Sequence, residues 1–188
     1  MLIRNILEES ARKFDEVKAV KWLNKKEIME RSYGELMENA VATRKGLLAE
    51  GFEGKHIALI GTSSVEWMES YLGIITGCTT AVPLDAALPC EDLIDLLNRS
   101  DSVARFLSPK LKPYLDAFLE NCPKLQKVWM LQEEVEDAPA KVYGIGELRN
   151  AGKSASADSV CPGCRGYCDH HFHFRNNRKE QGCYADTE

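Results

Sequence analysis

The chain has 188 residues, 29 acidic and 24 basic, for a net charge of −5. A chain of this length makes one domain, or one domain with a tail, and buries about 70% of the surface it would expose unfolded. With no stripe of cations there is no nucleic-acid face, and the longest uncharged run, residues 70–84, is interrupted by Pro83 and shorter than the roughly 20 residues of a spanning helix.

In chain order, the first residues mix Arg and Glu into an apolar pattern, as a secretory leader does not. Ile3, Ile6, Leu7, Ser10 and Phe14 fall at the spacing of an amphipathic first helix. Residues 17–23 and 28–33 are β-rich runs on either side of a polar turn and predict a hairpin. Ser32 and Glu35 stand in capping-box spacing, and Leu36, Met37, Ala40, Val41, Leu47 and Leu48 carry a helix to Gly51, which suits its C-terminal cap.

Residues 55–85 read as one strand, helix, strand unit. His56 opens a short apolar run closed by Gly61, the pattern of a buried parallel strand. Ser63 and Glu66 again have capping-box spacing. Val65, Met68, Tyr71, Leu72 and Ile75 predict the inner face of the helix, with Glu66 and Glu69 outside, and Gly73 and Gly77 mark a close backbone approach or the helix end. Residues 79–82 are the second strand, cut off by Pro83. Further on, Leu93, Ile94, Leu96 and Leu97 predict a helix, residues 103–107 a strand, residues 111–119 a helix stopped by Pro123, and residues 127–131 a strand. Strands alternating with helices, joined by right-handed crossovers, predict an α/β fold. It is a partial doubly wound, mostly parallel sheet over residues 1–150, with a small N-terminal hairpin.

Three stretches in this order, YGEL from Tyr33, EWMESYLGIITGC from Glu66 and AVPLD from Ala81, resemble the N-terminal part of the AMP-forming acyl-CoA synthetases of the adenylate-forming superfamily. The LP at Leu88 and Pro89 after PLD is most similar to the fatty-acyl branch. The resemblance covers roughly residues 1–150. It implies ATP-dependent activation of a fatty acid to an acyl-adenylate and transfer to CoA, with magnesium; the start of the chain and the lack of a spanning run set the expected place as the cytoplasm. It implies too that the chemistry lies further along the family's chain, so no catalytic, cofactor-binding or metal-ligating residue is assigned here. ATP, magnesium and CoA are expected for the intact enzyme, and none bound by this chain. In the family, later segments complete the sheet and cover one of its faces. The piece alone is expected to expose a strand edge and to self-associate.

Other residues have plainer readings. Gly61 has no second glycine at the spacing of a phosphate cradle and reads as a tight turn. Trp67, Met68 and Tyr71 form a helical stripe of the kind that fills a core rather than an acyl pocket. Cys78, Cys90 and Cys122 are isolated thiols beside apolar residues, and the acidic run at 133–137 is a solvated loop.

Past residue 150 the composition changes. AGKSASADS is linker-like, and Cys161, Cys164, Cys168, His170, His171 and His173 then crowd a short span. A Cys-x-x-Cys pitch with later Cys and His suits one tetrahedral zinc ion, in a small metal-binding or interaction module. An unstructured tail suits the same residues equally well.

The genetic code offers a third account. Re-read from the second base of each codon, the junction of Cys168 with Asp169 permits Ala, the next three junctions permit Thr or Ile, and Phe174 with Arg175 permits Ser. Continued to the end, the junctions permit ATIIFTSGTTGKSKGVML, which is similar to the phosphate-binding signature of the adenylate-forming enzymes. In the family that loop wraps the ATP phosphates with backbone N–H groups, hydroxyls and a lysine. The expectation is a frame-shifted, disordered tail over residues 151–188. The gene read one base later from before Cys161 is expected to stay open through SGTTG and past the codon of Glu188. Sequencing that finds an early stop there, or bases that give Ile where the signature has Thr, contradicts it.

Overall fold

The computed structural model describes residues 3–155. Helix α1 (Ile3–Phe14) leads into a hairpin of β1 (Lys18–Asn24) and β2 (Glu27–Ser32), followed by α2 (Tyr33–Ala49). Strand β3 (His56–Ile60), α3 (Val65–Ile75), β4 (Thr80–Leu84), α4 (Cys90–Arg99) and β5 (Ser102–Leu107) then alternate. A 3-10 segment (Pro109–Tyr114) runs into α5 (Leu115–Asn121), before β6 (Lys127–Met130), β7 (Val142–Gly144) and α6 (Ile145–Ser154).

Strands β3 to β7 form one parallel sheet in the order β4-β3-β5-β6-β7. The step from β3 to β4 goes one way across the sheet and the step from β4 to β5 goes back, so right-handed crossovers place their helices on opposite faces. On one face Leu93, Leu97 and Phe118 of α4 and α5 cover Ala58, Ile60 and Val128. On the other, Leu47, Ile74 and Leu148 of α2, α3 and α6 cover Ile57, Leu59 and Phe106. This is the expected doubly wound sheet.

Local signals explain most element ends. The Ser32 hydroxyl accepts from Glu35 N at 3.2 Å and the Glu35 carboxylate accepts from Ser32 N at 2.7 Å, the reciprocal capping box that starts α2. That backbone hydrogen bond holds the Glu35 carboxyl below its ordinary pKa. At the other end Gly51 has φ +79°, and Gly51 N and Phe52 N donate to Leu48 O and Leu47 O, a Schellman turn that only a left-handed residue closes without strain. The segment expected to be a single helix before Pro123 begins as a 3-10 turn, because Pro113 has no N–H to give an α-helical ladder.

Several expectations change. Helices cover both faces of the sheet, where one was expected to lack cover; the open sheet does keep two strand edges, β7, three residues long, and β4, whose Pro83 has no N–H to offer a new strand. Exposed apolar surface lies elsewhere. Every large exposed hydrophobic residue among those described falls within residues 3–29, from Met29 at 38% to Ile28 at 71%. In α1 only Leu7 and Ala11 are buried, since one flank alone meets α2, and Ile3, Ile6 and Phe14 stay exposed. The boundary at residue 150 falls inside α6. Small residues that resemble a linker instead let two helices touch: a Cβ on Gly152 would lie 2.0 Å from Ala42 O, and one on Gly46 2.3 Å from Leu148 O.

Strand β5 contains a fully buried Arg105, whose guanidinium nitrogens have no hydrogen-bond partner. The Phe118 ring, 4.9 Å below its Cζ, offers the cation a quadrupole instead. Burial pushes its pKa down, against the neighbouring Cys122 thiol.

Candidate functional site

Open α/β sheets bind ligands beyond the carboxyl ends of their strands, where neighbouring strands send their connections to opposite faces. Here that point lies between β3 and β5. Residues 61–64 leave β3, and buried Ser108 follows β5, donating its N–H to Ile60 O at 2.9 Å. The cap of α3 is Ser64, one residue later than the spacing with Glu66 suggested, and its hydroxyl accepts from Trp67 N at 3.1 Å. Thr62, Ser63 and Ser64 all have capping oxygens, and extended φ/ψ selects the last.

A Cβ on Gly61 would come within 3.1 Å of Ser108 Cβ, 3.2 Å of Trp67 Cδ1 and 3.3 Å of Leu131 Cδ1, so side chains from three segments lie close to this glycine. The Trp67 ring stacks on Tyr71 at 5.4 Å and 12°, and both pack on the cluster over β3 and β5. Met68 joins Leu7, Leu36 and Ala40 in a separate cluster under α1. Trp67, Met68 and Tyr71 thus fill two cores rather than line one pocket.

The strongest electrostatic feature lies on the same helix, at a residue the sequence pattern placed outside. Glu69 is fully buried. Its Oε2 accepts from Arg149 Nη2 of α6 at 2.8 Å, and its Oε1 accepts from Asn39 Nδ2 of α2 at 2.9 Å. Arg31 Nε of β2 lies 3.1 Å from Oε1 as an ion pair without an aligned hydrogen bond. Arg149 also donates through Nη1 to Glu133 at 3.1 Å, so one member of the acidic run is tied to the core although its side chain is 66% exposed. Burial raises the Glu69 pKa, against the opposing pull of Arg149, Asn39 and Arg31. Both carboxylate oxygens are engaged, which suits a tie between helices and not a general base.

The signal for this tie was Gly73, one helical turn after Glu69. A Cβ there would lie 2.7 Å from Thr43 Cβ of α2, so that face of α3 is the one pressed against a neighbour. Among the described residues no three His, Cys, Asp or Glu side chains gather as a metal group. The tail Cys and His residues from Cys161 to His173 lie outside the described residues.

The pattern shared by AMP-binding enzymes covers residues 7–161. The chain belongs to the AMP-binding enzyme family. No protein of curated function matches it. Solved structures do. Coronafacic acid ligase from Pectobacterium brasiliense is 21% identical with a TM-score of 0.71, over 80% of this chain and 29% of that one. Anthranilate CoA ligase AuaEII, solved with anthranoyl-AMP, is 16% identical with a TM-score of 0.69, over 80% and 28%. The inhibitor-bound N-terminal domain of FACL13 from Mycobacterium tuberculosis is 20% identical with a TM-score of 0.66, over 87% and 38%. These likenesses show the fold. The chain spans between 28% and 38% of the length of these three relatives. At this end of the sheet the Ser64 hydroxyl accepts from Trp67 N, and the Glu69 carboxylate is paired with Arg149.

Arg149→Met removes the main partner of the buried Glu69 carboxylate, leaving Asn39 and Arg31, and is expected to cost about 3 kcal/mol near neutral pH, read from urea unfolding. A carboxyl with a raised folded pKa contributes stability below its unfolded pKa and loses it as pH rises through the folded value. The gap between variant and wild type is therefore expected to narrow as pH falls. The double variant Glu69→Leu/Arg149→Met is expected to cost less than Arg149→Met alone. An Arg149→Met protein as stable as wild type near neutral pH contradicts the tie.

Proposed function

We propose that this chain is the first α/β unit of a ligase that activates a carboxylic acid by adenylation, and that it is inactive alone. The observation that carries the proposal is the family match over most of the chain. The unit supplies a rigid sheet with helices on both faces. Phosphate binding belongs to later sequence, in keeping with the signature that the tail's codons permit in another frame.

For the whole enzyme the proposed reaction joins a carboxylate to AMP with loss of pyrophosphate, and then moves the acyl group to the thiol of CoA. The PLD and LP residues support a fatty acid as substrate, and a putative long-chain-fatty-acid CoA ligase from Rhodopseudomonas palustris shares the fold at a TM-score of 0.67 and 13% identity. The cytoplasm suits such an enzyme, and no helix among the described residues is long and apolar enough to cross a membrane.

Removing one preorganised donor from a charge-stabilising site commonly costs about a hundredfold or more in rate, and here the signature is permitted only in another frame of the tail's codons. The purified chain is expected to show no exchange of labelled pyrophosphate into ATP with magnesium and a long-chain fatty acid above a no-protein control. Exchange that depends on the fatty acid overturns the proposal.

A further inference from the structure

The hairpin is the least covered part of the molecule. Its strands pair Lys21 with Glu30 and Leu23 with Ile28, and strand alternation puts all four side chains on one face. Lys21 Nζ and Glu30 Oε1 are 2.6 Å apart. Leu23 is 68% and Ile28 71% exposed. The opposite face turns to the body: Arg31 sits over the Trp22 ring at 5.7 Å and reaches buried Glu69. An isolated two-stranded hairpin with one uncovered face is marginal in water, and neither α1 nor the sheet covers Leu23 or Ile28.

We propose that the Lys21, Leu23, Ile28 and Glu30 face of the hairpin is a self-docking surface, occupied by the same face of a second copy. The charge pattern selects this occupant. A two-fold axis parallel to the strands and lying between two such faces sets β1 of one copy over β2 of the other. Lys21 then stands opposite Glu30 of the second copy, Leu23 opposite its Ile28, and the reciprocal contacts follow by symmetry. A two-fold across the strands, centred on this face, would instead set Lys21 over Leu23 and Glu30 over Ile28, so that each charge meets an apolar side chain. The face is self-complementary in the first orientation only. This surface replaces the bare sheet edge as the site of self-association. It rests on the hairpin geometry and on the reading of the chain as a unit that spans about a third of its relatives. A strand of seven residues at about 3.3 Å each is roughly 23 Å long, a small face beside the roughly 800 Å² that each partner of a stable dimer buries. The dimer is therefore expected to be weak.

Sedimentation equilibrium of the full chain tests this without reference to catalysis, so its failure is distinct from failure of the ligase assignment. Wild type is expected to approach twice its 21.1 kDa mass as concentration rises. Lys21→Glu and Glu30→Lys each set like charges opposite one another and are expected to weaken the dimer about tenfold or more. Each variant also loses the pair within its own hairpin, so the deciding sample is their equimolar mixture. There the acid of K21E meets the base of E30K, and Lys21 of the second chain meets Glu30 of the first, so dimer is expected to return although both hairpins lack their internal pair. Circular dichroism melts of each variant check folding. A wild-type chain that stays monomeric overturns the proposal, as does a dimer indifferent to both substitutions, or a mixture no better than its components.

Discussion

The helical layer over one face of the sheet closes around a single buried carboxylate. Glu69 is shared by α2, α3 and α6 and by the end of the hairpin, and its main partner, Arg149, comes 80 residues later. Gly46, Gly73 and Gly152 let these helices come close enough for the pair to form, since a methyl group at any of them would strike its neighbour. Buried ion pairs repay their desolvation poorly but punish the loss of one member. The tie therefore specifies how the three helices sit more than it adds to stability.

That arrangement fixes what the sheet offers at its carboxyl ends. With α3 held in place, Trp67 and Leu131 come close to Gly61 at the switch point between β3 and β5. The chain spans between 28% and 38% of the three solved chains whose fold it shares.

Features set by neighbours in sequence were legible before the structure. The capping box of Ser32 and Glu35, the left-handed Gly51 and the alternation of strands and helices are local, and the structure contains them. Features set by distant contacts were not. Glu69 obeys the outer-face rule until Arg149 is brought beside it, and α6 is disguised by glycines that read as linker and serve as helix contact. Arg105 sits within an apparent apolar strand, with its charge set against a ring from α5.

Direct binding of magnesium-ATP is the plainest test of a platform without a nucleotide site. Equilibrium dialysis of the full chain against labelled ATP with magnesium is expected to show no saturable uptake at millimolar nucleotide. Saturable binding of one ATP per chain, abolished by filling the crevice with Gly61→Leu, would contradict it.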